Sequence, residues 1–105
     1  MQTTDLPGGI DLVDEDGGPV LRLHGEVDSL VVDAYDATSS PGRRSAVAVD
    51  LSAATFLDGP GLRLLVRATE ATRRAGRVPE LRRPSHTVQR MVEIAGVQRL
   101  FAAVL

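Results

Sequence analysis

The stretch from Ala46 to Ala68, AVAVDLSAATFLDGPGLRLLVRA, decides the fold because its period changes partway along. Ala46 to Leu51 is a short, almost continuous apolar run closed by Asp50 and Ser52, the pattern of a central strand covered on both faces. Beyond Asp58-Gly59-Pro60-Gly61 the period becomes helical. Leu62, Leu65, Val66 and Thr69 make one stripe, Leu64, Ala68, Ala71 and Ala75 widen it, and Arg63, Arg67, Glu70 and Arg74 form a polar face that runs to Gly76. In the turn itself Asp58 is placed to cap the helix, Pro60 suits its first turn, and Gly61 lets the backbone pass close to a neighbour.

Outward from this unit the same alternation of periods continues. Upstream, Pro19 to His24 alternates as a strand and stops at Gly25, with Ile10 to Val13 as a weaker strand joined to it through Asp16-Gly17-Gly18. Asp28 or Ser29 caps a helix toward Thr38 whose apolar side is Leu30, Val31, Ala34 and Ala37, and Ser39-Ser40-Pro41-Gly42 breaks it. Downstream, Val78 to Leu81 is a short strand that Pro79, lacking a ladder donor, pushes toward a sheet edge or a bulge. Ser85 caps a last helix carrying Val88, Met91, Val92 and Ala95, stopped by Gly96, and Val97 to Leu105 is a closing apolar segment. Strands alternating with helices imply parallel crossovers, so the expected fold is α/β, a small mixed sheet with helices packed mainly on one face. The expectation is a single domain over residues 1–105, with residues 1–9 as a flexible lead-in.

Composition narrows the function. The 105 residues carry a net charge of −2 with no cysteine, so neither a disulfide framework nor a thiolate metal site is available, and a cytoplasmic location is expected. No run approaches the roughly 20 apolar residues of a membrane span, and the first ten residues lack the basic start and apolar core of an export signal. Acids and bases are interspersed, which argues against a nucleic-acid surface. A P-loop needs lysine and a hydroxyl after its second glycine, where this chain has Gly61-Leu62-Arg63. Asp50, ending an apolar strand, resembles a receiver-domain phosphoacceptor in topology only, since the chain contains no lysine. His24 and His86 stand in no nucleophile context, so no hydrolytic triad is expected, and with it no enzyme, metal or cofactor.

Three segments in order, VLRLHGEVDS, AVAVDLSAATFLDGPGLRLLVRA and GRVPELRRPSHTVQRMVEIAGVQRLF, resemble the STAS domain and in particular the bacterial anti-sigma factor antagonists, from about Gly18 to Phe101. Gly25-Glu26-Val27-Asp28 corresponds to the family's Gly-Glu-Leu-Asp, and Asp50 to Asp58 to its Asp-Leu-Ser-x-x-x-Phe-Leu-Asp. The resemblance implies partner switching, in which the unphosphorylated antagonist binds a serine-protein-kinase type anti-sigma factor and phosphorylation of a serine in Asp-Ser-Ser/Thr-Gly abolishes the binding. Here that motif is Asp58-Gly59-Pro60-Gly61, so glycine occupies the acceptor position. Ser52 and Thr55, assigned to the loop after the strand, are the nearest substitute hydroxyls. The partner-binding residues implied are Asp28, Asp58, Gly59, Gly61, Leu62 and Arg63, on a monomer or weak homodimer that neither binds nucleic acid nor inserts into a membrane. The alternative is a STAS subunit of another assembly, for lipid transport or sensing, binding a different protein or a small ligand.

Overall fold

The structure, a computed structural model, describes residues 6–38 and 45–104. Its elements are β1 (Gly8–Glu15), β2 (Gly18–Val27), α1 (Ser29–Thr38), β3 (Ala48–Leu57), α2 (Gly59–Ala68), α3 (Glu70–Arg74), β4 (Glu80–Arg82), α4 (His86–Ile94) and β5 (Ala102–Val104), with a 3-10 turn at Gln98–Leu100. The strands stand in sequence order in one mixed sheet: β1 and β2 form an antiparallel hairpin, and β2 to β5 run parallel. This is the expected α/β class.

Alternation along the strands separates the two faces of the sheet. Leu21 and Leu23 of β2, Val49 and Leu51 of β3 and Leu81 of β4 are buried in one cluster with Val31 and Val32 of α1, Leu64 and Leu65 of α2, and Val88 and Val92 of α4. Each such side chain contributes about 1.5–3 kcal/mol through removal from water. The helices therefore lie on one face. On the other, Arg22, Asp50 and Arg82 stand side by side in register across three strands.

Several elements differ from the sequence expectation for identifiable reasons. Of the flexible lead-in expected over residues 1–9, Gly8 and Gly9 already pair with Gly25 and His24, because ladder bonds need no apolar pattern; residues 1–5 lie outside the described residues. β3 runs six residues past Leu51, so Ser52 and Thr55 belong to a strand and not to a loop. In α1, Leu30 is exposed and Ala37 too, while Val32 and Tyr35 turn toward the core. The expected single helix from Gly61 to Ala75 is broken at Thr69, whose buried hydroxyl donates to Leu65 O at 2.7 Å, a back-bond that bends helices. Thr72, not Ala71 or Ala75, faces inward there, and its hydroxyl donates to Ala46 O at 2.8 Å. Pro79 precedes β4, which lies between β3 and β5 and is not an edge. The Ser39–Gly42 break and Leu105 lie outside the described residues.

Candidate functional site

β2 and β3 are neighbours and parallel, with Val27 opposite Leu57, so the residues that follow them emerge together at the carboxyl end of the sheet. The Asp58 amide donates to Val27 O at 3.2 Å, which ties the two exits to each other. Each exit is closed in the same way. Asp28 Oδ1 accepts from the Val31 amide at 3.1 Å at the start of α1, and Asp58 Oδ1 accepts from the Gly61 amide at 3.0 Å at the start of α2. The main chain repeats the likeness: Asp28 O accepts from the Val32 amide at 3.0 Å and Asp58 O from the Leu62 amide at 2.9 Å. Both carboxylates therefore satisfy amides that a helix start leaves without partners.

The third helical position separates the two turns. Val31 is buried with a full side chain, whereas Gly61 is buried where a Cβ would stand 2.7 Å from Val27 O, tighter than any side chain tolerates. Gly59, by contrast, is exposed, and a Cβ there would meet nothing nearer than Arg63 Nη1 at 3.3 Å, the far end of a flexible side chain. The Arg63 guanidinium thus leans back over the residue that opens α2.

Between α1 and α2 runs an open groove of about 850 Å³ that reaches Ala95 and Val97 beyond α4. Val32, Pro60, Leu62 and Val66 supply its apolar surface, Asp33 and Asp36 edge the α1 wall, and Arg63 and Arg67 edge the α2 wall. Arg67 clamps Asp36 bidentately, Nη1 to Oδ1 and Nη2 to Oδ2 both at 3.2 Å, and so braces the two helices. The pair is about half exposed, so it fixes geometry more than it adds stability.

Of the residues singled out in the sequence, the groove gathers Gly59, Leu62 and Arg63. Asp28 and Asp58 immediately precede the lining residues Ser29 and Gly59 without lining the groove themselves, each with an oxygen committed to a helix amide, and Gly61 is buried behind the turn, where a partner does not reach it. Ser52 and Thr55 lie along β3, outside the groove. Sequence reasoning missed Ser29, Asp33, Asp36 and Arg67. Their signal was topological: helices that follow adjacent parallel strands start side by side, so the polar face of the first meets that of the second.

A second polar cluster occupies the opposite sheet face. Asp50 Oδ1 accepts from the Ser52 amide at 2.9 Å and hydroxyl at 2.7 Å, and its other oxygen faces Arg83 at 3.6 Å and Arg22 at 3.9 Å. Burial pushes this carboxyl up, but the Ser52 bonds and the two guanidinium groups outweigh it and hold it below its ordinary value. Arg82 bridges Glu15 and Glu80, each at 2.9 Å. No buried side-chain polar atom among the described residues lacks a partner. This is the arrangement of a structural network. Among the described residues no group of three or more His, Cys, Asp or Glu is set to hold a metal, and no helix is long and apolar enough to cross a membrane.

A mixed sheet with helices on one face, opening at its strand ends into two capped helices and a groove, defines a small α/β domain built to present a surface. The family model described as "Mlab, STAS domain" matches residues 10–104, and the chain belongs to the STAS domain family. Two solved structures share the fold. An anti-sigma factor antagonist from Mycobacterium paratuberculosis is 22% identical with a TM-score of 0.61, over 90% of this chain and 82% of that one. The anti-sigma factor antagonist SpoIIAA in its unphosphorylated form is 23% identical with a TM-score of 0.62, over 91% of this chain and 88% of its own. No curated protein sequence matches the chain.

Proposed function

We propose that this chain is an anti-sigma factor antagonist-like interaction module that docks a serine-kinase type anti-sigma factor in partner switching, without the usual phosphoacceptor and without catalysis of its own. The observation that carries the reading is the turn at Asp58 to Gly61: its cap is intact and its exposed first residue opens the groove, yet that residue is Gly59, which has no hydroxyl to modify. Two solved structures that share the fold are anti-sigma factor antagonists, which supports the same role here. Physically the groove suits docking. Its walls are rigid helices, capped at their starts and braced by Asp36–Arg67, so little ordering entropy is lost on binding. The apolar residues between the walls exclude water, while the acidic and basic edges set the orientation of the partner.

The missing acceptor favours one other reading, a STAS subunit of a different assembly whose contacts need no phosphorylation switch. Native mass spectrometry with each serine-kinase-like anti-sigma factor encoded in the same genome separates the two. A one-to-one complex that Arg63→Glu weakens at least about tenfold, through loss of an exposed charge on the groove wall, is the expected result. No complex with any of them would overturn the antagonist reading and leave the other assembly.

A further inference from the structure

The two capped turns differ in the residue that follows the aspartate. After Asp58 it is Gly59; after Asp28 it is Ser29, and both residues are exposed and line the same groove. The chain thus keeps an Asp-Ser pair at the groove mouth, on the neighbouring helix, with its aspartate bonded just as Asp58 is. Among the described residues the other serine and threonine hydroxyls compare poorly. Thr38, Ser45, Ser52, Thr69, Thr72 and Ser85 all spend their oxygens on hydrogen bonds within the fold. Thr55 and Thr87 do not line the groove. Ser29 does, and among the described residues its hydroxyl carries no hydrogen bond.

We infer that Ser29 is the phosphoacceptor of this chain, modified by the kinase that occupies the α1–α2 groove. The inference rests on the docking role proposed above and adds to it the regulation of that site. In the step, Ser29 Oγ attacks the γ-phosphorus of a nucleoside triphosphate held by the kinase. The new P–O bond forms as the bond to the β-phosphate oxygen breaks, the hydroxyl proton passes to a base of the kinase, and nucleoside diphosphate leaves. The product places about −1.5 to −2 charges on the wall that already carries Asp33 and Asp36, opposite Arg63. A surface that sets Asp33, Asp36 and Glu70 against Arg63 and Arg67 becomes strongly acidic at its mouth, and Arg63 is drawn to the phosphate instead of to the partner. Partner release follows without refolding the domain.

The test is incubation of the full chain with each of the same anti-sigma factors, magnesium and ATP, followed by intact-mass measurement and fragmentation of the arginine-bounded peptide that holds residues 23–43. A gain of about 80 Da, one phosphoryl group, localised to Ser29 and absent from Ser29→Ala, is expected, with affinity for the partner lowered at least about tenfold. A complex that forms with no mass gain, or a phosphate located at Ser52, Thr55 or any other residue, would overturn the inference and leave the docking role standing. No complex with any kinase would overturn both.

Discussion

The two strand-to-helix turns of this domain are built to one plan and end in different states. At both, an aspartate following a parallel strand caps a helix through the amide three residues on, at 3.1 Å from Asp28 and 3.0 Å from Asp58. At α1 the third helical residue is Val31, which fills core volume, and the first two, Ser29 and Leu30, face out. At α2 the third residue is Gly61, pressed against the end of β2, so that this helix starts closer to the sheet than a side chain would permit. The α2 turn is thereby fixed by contact and the α1 turn by packing. A cap sets where a helix begins, and the residue three places later sets how near it lies to the sheet.

The largest test of that distinction is Gly61→Val. It drives a branched side chain into Val27 O, with an expected loss of about 3 kcal/mol or more, read as a lowered urea midpoint at unchanged slope. Val31→Ala at the matching position of α1 leaves a cavity instead, with an expected cost of about 2 kcal/mol. If Gly61→Val were the milder of the two, the contact account of the α2 turn would fail.

Asp50, an aspartate that caps no helix, sharpens the contrast. Its folded carboxyl lies below its ordinary value of 3.8, so the ionised form favours the folded state above that value, and the contribution is lost as pH falls through the lower, folded value. Asp50→Asn should reduce stability by about 1.5 kcal/mol at neutral pH, the worth of hydrogen bonds to a charged group, and flatten the fall of stability in the acid window. An acid limb as steep as the parent's would refute the assigned cause. Asp28→Ala and Asp58→Ala each remove one cap and should cost about 1 kcal/mol apiece. Unequal losses would show that the two turns are not energetic equivalents. Gly59→Ser is the smallest change: the site is exposed and only the tip of Arg63 must move, so stability should shift by less than about 0.5 kcal/mol.

The α2 turn was legible from residue types alone, because Asp58, Pro60 and Gly61 each answer a local requirement of a helix start. The full length of β3 was not. Its buried residues Leu51, Ala54 and Leu57 fall three apart, a spacing foreign to a flat strand. The register explains it: it shifts between Arg22 and His24 and again between Gly25 and Glu26, where β3 passes Thr55 with no opposite residue on β2. Such bulges leave no mark in an apolar pattern. In α1, the cap at Asp28 set the phase that buries Val31 and Val32 and exposes Leu30, and only the sheet beneath could say which of three consecutive apolar residues would face out. The helix break at Thr69 was hidden because a threonine reads as an ordinary stripe residue until its hydroxyl bonds Leu65 O and Arg73 reaches it at 2.7 Å. The groove was half visible: Gly59, Leu62 and Arg63 came from the turn, while Asp33 and Asp36 required knowing that the two helices lie side by side.

The most direct measurement is amide hydrogen exchange on this chain, free and bound to the anti-sigma factor that captures it. Protection gained over residues 29–36 and 59–67, the two walls of the groove, is expected. Protection confined to the opposite face of the sheet, around Arg22, Asp50 and Arg82, would contradict docking at the groove.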